Sequence, residues 1–415
     1  MKVLSIGSDR NLFDEKSEVR QRIIEYGGLV EELHIVVFNK YDANNANVMP
    51  MMRIANNIWL YPTNSGSKWF YIRDALKIGK KILVANGQWL ITSQDPFECG
   101  LVGWRLAKFF GARLQLQIHT DFLSSYFKKE SFLNSVRVII AKFLIKRADC
   151  IRVVSRRIHN SILLKLNFDS STIEVQLPKI EILPIWVDIE KIKNAPVKTD
   201  LHSKYPQFDF IILMASRLTK EKNISMAIEA MHGLIRTETD HTDTKQTKLV
   251  SESPRSPLQS AKSVLLLIVG DGPERERLLK SINSPRSPLQ SAKSAIIMED
   301  WTDGLASYYK TADLFLLTSN YEGYGRTIIE AMAVSCPVIM TDVGVAGDIV
   351  RDGYNGLVVP VDDKKALTDA LLKMITDFSL RNNLVASGEY MINKIKINKE
   401  EYLEQYKKNW TICGF

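Results

Sequence analysis

Ser319-Asn320-Tyr321-Glu322-Gly323-Tyr324-Gly325-Arg326-Thr327-Ile328-Ile329-Glu330-Ala331-Met332-Ala333 follows the short apolar run Leu314–Leu317. An apolar run, a glycine turn and helix formers with an apolar face at Ile328, Ile329 and Met332 spell strand, turn and helix. The start of such a helix offers backbone amides and a partial positive charge, which suits a diphosphate. Glu330, about one turn into the helix, can accept hydrogen bonds from vicinal hydroxyls such as those of a ribose. Glu322 can accept from sugar hydroxyls or face positive charge developing at an anomeric carbon. Gly323, Tyr324, Gly325, Arg326 and Thr327 are the expected donor-binding residues between the two acids. The plainer alternative leaves Glu322 capping the turn and Glu330 in water.

The same alternation runs through the chain. Lys2-Val3-Leu4-Ser5-Ile6-Gly7, Leu33–Phe38, Ile82–Ala85, Leu114–Ile118 and Ile151–Val154 read as buried strands with helix-like stretches between them. The pattern restarts with Phe210–Met214, Val264–Val269, Leu314–Leu317, Val338–Met340 and Gly356–Val359. This predicts an α/β fold of two Rossmann-like, doubly wound parallel-sheet domains, as the 415-residue length also suggests. Asn194-Ala195-Pro196-Val197 is the expected boundary, giving domains 1–194 and 195–395 and a final segment 396–415. Ligands in open parallel sheets sit beyond the carboxyl ends of the strands, so two facing domains are expected to enclose an interdomain cleft.

One stretch breaks the alternation. The eleven residues Ser253–Ser263 recur letter for letter at Ser284–Ser294. Both copies are polar and proline-bearing, and with the polar run Arg236–Lys248 they read as loops inserted at about 236–263 and 283–294.

Two further loops follow strands. In Met214-Ala215-Ser216-Arg217-Leu218-Thr219-Lys220-Glu221-Lys222-Asn223, Arg217 and Lys222 can converge on one anion, Arg as a bidentate fork and Lys as a point charge. In Val269-Gly270-Asp271-Gly272-Pro273, the glycines suit a tight strand-to-helix turn near a nucleotide, though a purely structural turn is an equal reading. Neither G-x-x-x-x-G-K-[ST] nor G-x-G-x-x-G occurs, which argues against a P-loop NTPase and a typical dinucleotide enzyme.

Taken in order, S-R-L-x-x-x-K-N, V-G-D-G-P, E-G-Y-G-x-x-x-x-E-A-M-A, P-V-I-x-T-D-V-G and D-G-Y-N-G-L-V-V-P closely resemble the donor domain of the retaining glycosyltransferases of family 4, over about residues 208–380. The resemblance implies the GT-B fold. It also implies that Arg217 and Lys222 hold the donor diphosphate, that Glu330 holds the ribose and that Glu322 faces the sugar. The first half resembles the family less fully. Gln117-Ile118-His119-Thr120-Asp121-Phe122 follows a strand, as the family's catalytic-site histidine does, so His119 is expected to contact the transferred sugar or shuttle a proton. Where family members often carry a glycine-rich loop, Ser8-Asp9-Arg10-Asn11-Leu12-Phe13 stands instead. The resemblance further implies that the aromatic, basic stretch Tyr402–Trp410 is a helix crossing back to the first domain.

The expected chemistry is transfer of a hexose-type sugar, with retention, from a UDP- or GDP-linked donor to a saccharide or lipid-linked acceptor. No cofactor is expected. With no Asp-x-Asp pair and no His/Cys cluster, no metal is expected either. Two rivals share the residues: a non-catalytic nucleotide-sugar-binding scaffold, and a sugar-nucleotide epimerase of the same fold that needs no acceptor.

Composition sets the outer limits. Hydrophobic residues at 45% and charged residues at 25% are those of a soluble globular chain. The net charge is +8, and residues 51–150 alone carry 15 Lys+Arg against 6 Asp+Glu. Such a balance favours anionic partners, although no nucleic-acid module accompanies it and none is expected to bind. Lys128, Lys129, Arg137, Lys142, Lys146 and Arg147 punctuate the apolar stretch Phe132–Leu144. One reading is a helix at a membrane surface near a lipid-linked acceptor; the other is a domain helix packing its apolar face inward. No apolar run is long enough to span a bilayer, and the opening residues are too short for a signal-peptide core. Cys99, Cys150, Cys336 and Cys413 show no metal or C-x-x-C spacing and read as reduced thiols, which points to the cytoplasm, with peripheral contact at the inner face of a membrane as its extension.

Overall fold

The computed structural model describes residues 1–41, 49–83, 88–166, 178–240, 263–283 and 294–414. The chain forms two units. The first is Met1–Trp186 together with Ile397–Phe415, and the second is Val187–Lys396. The division thus falls earlier than the cut expected near residue 194, because the helix Ile189–Asn194 packs against the helix Arg326–Ala333 of the second unit.

In the first unit, β1 (Lys2–Gly7), β2 (Glu32–Val37), β3 (Met52–Ala55), β4 (Ile58–Pro62), β5 (Trp89–Ser93), β6 (Arg113–Ile118), β7 (Cys150–Val153) and β8 (Lys179–Ile182) form a sheet ordered β3-β4-β2-β1-β5-β6-β7-β8. All neighbours are parallel except β3, which pairs antiparallel with β4. The expected strand at Ile82–Ala85 falls only partly within the described residues, and its first residue is helical. Ile82 ends the amphipathic helix Tyr71–Ile82, residues 84 and 85 lie outside the described residues, and the strand beside β1 is Trp89–Ser93.

In the second unit, β9 (Phe210–Ala215), β10 (Val264–Val269), β11 (Ser294–Glu299), β12 (Leu314–Leu317), β13 (Val338–Thr341) and β14 (Leu357–Val359) run β11-β10-β9-β12-β13-β14, all parallel. Every residue of β9 and β10 is buried, as a sheet covered on both faces requires. Strand order reverses at β9 and β12, which makes the carboxyl ends of these two strands a natural ligand crevice. The expected pair of doubly wound parallel-sheet domains is therefore what the chain forms. The helix Ile224–Asp240 takes in the first residues of the polar run expected as a loop from Arg236. The rest of that run and nearly all of both eleven-residue copies lie outside the described residues.

The final helix, Lys399–Thr411, is part of the first unit. Tyr402, Tyr406 and Trp410 recur at helical spacing and are each at most 3% exposed. Tyr406 stacks on Tyr26 at 4.0 Å between ring centres. Beyond the helix, Cys413 is bonded to Cys150 of β7, with 5.2 Å between Cα atoms. This corrects the expectation of four reduced thiols: only Cys99 and Cys336 are free, and both are buried. No spacing could reveal a pair 263 residues apart that meets only once the tail has packed. Cysteine usage therefore no longer points to a reducing compartment.

Candidate functional site

The site is built on the switch point of the second unit. A cavity of about 190 Å³ lies at the ends of β9 and β12, and Ser216, Arg217, Lys222, Thr318, Ser319 and Thr327 contribute its polar lining. Trp301, 53% exposed, also lines it.

The Gly270-Asp271-Gly272 turn explains the course of the Arg217 loop. A Cβ on Gly270 would lie 1.9 Å from the Ser216 carbonyl oxygen, and one on Gly272 would lie 2.5 Å from that of Leu218. The Leu218 amide donates to the Asp271 carbonyl at 2.8 Å, and the Glu274 amide donates to the Leu218 carbonyl at 3.0 Å. Asp271 turns its carboxylate back to the Gly272 amide, 2.7 Å away. These three residues sit against the Arg217 loop as its support, and none of them lines the cavity.

Arg217 is largely in solvent, its guanidinium 3.4 Å from Glu221. Lys222 is held more firmly. It ends a short 3-10 turn, Lys220–Lys222, and the Asn223 that follows takes a left-handed conformation at φ 44°. The Thr318 hydroxyl donates to the Lys222 carbonyl at 2.9 Å, and Asn223 donates through Nδ2 to Asn320 Oδ1 at 2.9 Å. Lys222 Nζ then forms an ion pair with Glu322, whose Oε1 also accepts from the Ser319 hydroxyl at 2.8 Å. Both charged side chains are mostly buried.

Beyond Glu322, Gly325 adopts φ 91° and starts the helix Arg326–Ala333 without a side chain to cap it, leaving the first-turn amides to other acceptors. Thr327 of that turn lines the cavity. Gly323 and Tyr324 are buried in the turn, and Gly344 closes over it: a Cβ there would meet the Tyr324 carbonyl oxygen at 2.6 Å and Glu322 Cβ at 3.0 Å. Glu330 is buried, not solvated. It accepts from Arg326 Nε at 2.6 Å and from the Tyr309 hydroxyl at 3.1 Å. Burial and the adjacent Glu330 carboxylate hold that hydroxyl well above the usual tyrosine range.

His119 belongs to the first unit, just past β6, and is partly buried. Its Nε2 lies 3.2 Å from Gln117 Oε1, an oxygen that also accepts from buried Arg152 at 3.2 Å. Because the arginine can only donate, the Gln117 atom is an acceptor and His119 carries its proton on Nε2. Nδ1 is then the acceptor nitrogen. Burial, followed by the charges of Arg152 and Arg22, pushes the imidazole pKa down to about 3. Asp121 is not a hydrogen-bond partner of this ring; burial raises its carboxyl, against Lys165 and Arg157. Where a glycine-rich loop was considered, Asp9 caps the short 3-10 helix Arg10–Phe13, and Arg10 reaches the Tyr71 hydroxyl at 2.9 Å.

The structure thus gathers Arg217, Lys222 and Thr327 around one cavity, pairs Glu322 with Lys222, and sets Glu330 a turn beyond Thr327 in the same helix. Ser319, Thr318 and Tyr309, which hold the charged groups in place, carry no readable signal in the sequence. Among the described residues, no group of three or more His, Cys, Asp or Glu gathers as metal ligands would.

Residues 200–391 match the family model of the glycosyl transferases group 1. The chain is 26% identical to the N-acetylgalactosamine-N,N'-diacetylbacillosaminyl-diphospho-undecaprenol 4-alpha-N-acetylgalactosaminyltransferase of Campylobacter jejuni, over 71% of this chain and 70% of that protein. Matches to several other curated glycosyltransferases span only about a third to a half of those proteins' length. Among solved structures, sucrose-phosphate synthase from Thermosynechococcus elongatus superposes with a TM-score of 0.71 at 19% identity, covering 98% of both chains. Anabaena HepE in complex with UDP-glucose gives 0.68 at 15% identity, covering 99% of both. The fold is shared with these proteins along nearly the whole chain.

Proposed function

We propose that the chain is a retaining glycosyltransferase of family 4, moving a hexose-type sugar from a UDP- or GDP-linked donor to a saccharide or lipid-linked acceptor. The observation that carries this reading is the meeting of Arg217, Lys222 and the uncapped helix start at Thr327 on one cavity at the switch point of a parallel sheet. Three positive features around one small cavity suit a diphosphate. The UDP-glucose complex of a protein of the same fold supports the donor class, and the diphospho-undecaprenol in the name of the Campylobacter relative supports a lipid-linked acceptor.

In this reaction the bond between the anomeric carbon and the β-phosphate oxygen breaks, the acceptor oxygen bonds to that carbon, and the acceptor's hydroxyl proton passes to the leaving diphosphate. Negative charge grows on the leaving diphosphate. Lys222, Arg217 and the first-turn amides stabilise it, a role that divalent metal fills in other enzymes. Glu330, already fixed by Tyr309 and Arg326, presents its carboxylate to the ribose hydroxyls. Glu322 faces the sugar. His119, neutral and with Nδ1 as acceptor, accepts a hydrogen bond from a hydroxyl of the transferred sugar.

Calorimetric titration with UDP and GDP, followed by assay of UDP- and GDP-hexose hydrolysis, tests the reading. Saturable binding of one diphosphate and slow release of its sugar are expected. No affinity for either nucleotide overturns it.

A further inference from the structure

The helix Phe132–Ile145 packs one apolar face inward, as one of the two readings of its sequence expects. Val138, Ala141, Leu144 and Ile145 are buried within the first unit. A second apolar stripe, Phe132, Val136, Ile139 and Phe143, follows the same helical spacing on another face, with Phe132 86% and Ile139 69% exposed. A helix that is apolar on two faces and packed on one has a face unaccounted for.

That face continues over neighbouring helices. Trp104, on the helix Glu98–Phe110, meets the Phe143 ring edge-on at 5.1 Å. Five residues on, Phe109 is 67% exposed, with Lys80 of the helix Tyr71–Ile82 over its ring at 4.8 Å. Cations frame the aromatics throughout: Arg147 lies over Phe143 at 3.6 Å and Lys108 over Trp104 at 5.7 Å. Lys77, Lys81, Arg105, Lys142 and Lys146 are exposed nearby. The three helices contain two carboxylates, Asp74 and Glu98, and each is already paired with an arginine, Arg73 and Arg137 respectively. Isolated surface apolar residues need no explanation, but a contiguous aromatic and aliphatic face set among exposed cations does.

We infer that this face of the first unit, centred on Ile139, Phe143 and Phe109, docks on an anionic lipid bilayer. The aromatic and aliphatic side chains enter the boundary between headgroups and acyl chains, and the lysine and arginine stems extend beside them so that their charges meet lipid phosphates. This contact does not depend on the transferase reading, because it uses no residue of the donor site.

The test is co-sedimentation of the full chain with vesicles of phosphatidylcholine alone or mixed with phosphatidylglycerol, without nucleotide. Roughly tenfold or more of the protein should partition onto the anionic vesicles, and raised salt should reduce this. K142E/R147E should abolish the preference for anionic lipid, and F132S/I139S should lower binding to both vesicle types. Thermal melting and UDP titration show that each variant is folded. Equal binding to both vesicle types by the unaltered chain, or binding that neither variant changes, overturns the proposal. So does a monomer–dimer equilibrium abolished by F132S/I139S without vesicle binding, which would assign the face to a second copy of the chain.

Discussion

Lys222, which lines the cavity at the ends of β9 and β12, forms an ion pair with Glu322, one hundred positions further along the chain. The acid occupies the ammonium that a diphosphate would claim, so donor binding has to redirect Lys222 from carboxylate to phosphate. Lys222→Ala should lower transfer by roughly 10²–10³-fold and weaken UDP binding. Glu322→Gln frees the ammonium, so UDP binding should be unchanged or tighter while turnover falls. Calorimetry and a donor-hydrolysis assay on both variants separate the two roles; equal loss of UDP affinity in both would refute the competition.

Gly270→Ala should act on the Arg217 loop although residue 270 does not line the cavity. The added methyl meets the Ser216 carbonyl oxygen at 1.9 Å, and backbone must move. A loss of about 1–3 kcal/mol in folding stability by urea titration is expected, with weaker UDP binding. Unchanged affinity would show that the loop tolerates displacement.

Tyr309→Phe removes one of the two donors that hold the buried Glu330 carboxylate. The expected cost is about 1–3 kcal/mol of stability. If Glu330 reads the ribose, the variant should also discriminate less between UDP and 2'-deoxy-UDP. A melting shift with unaltered discrimination would confine Tyr309 to a packing role.

His119 yields a pH prediction. In the unfolded chain it takes up a proton near 6.5, while in the folded chain burial and then Arg152 and Arg22 delay uptake to about 3. Between those values the unfolded state binds more protons, so acidification through that window destabilises the fold, by at most ~1.4 kcal/mol per pH unit from this residue. His119→Gln should flatten that part of the stability profile in urea titrations repeated from neutral to acid pH. An identical slope in both proteins would place the ring in water.

Legibility followed the physics of each element. Buried parallel strands such as Phe210–Met214 and Val264–Val269 announce themselves as unbroken apolar runs, and the switch between β9 and β12 then locates the ligand crevice. The β3–β4 pair was not legible, because its short strands alternate weakly, and Ile82-Leu83-Val84-Ala85 misled because a helix end can be as apolar as a strand. At the candidate site, the charged residues stood out by type and spacing. Ser319 and Tyr309, in contrast, matter only through contacts across the fold, and the Cys150–Cys413 pairing depends on where the tail packs.

The order in which the chain is made gives that tail a further meaning. The second unit is an uninterrupted segment, whereas the first needs Tyr402, Tyr406 and Trp410 to fill its core. During synthesis, the half that emerges later can therefore mature sooner. A ribosome that stops short of residue 400 would release a finished second unit attached to an amino-terminal half still missing part of its interior.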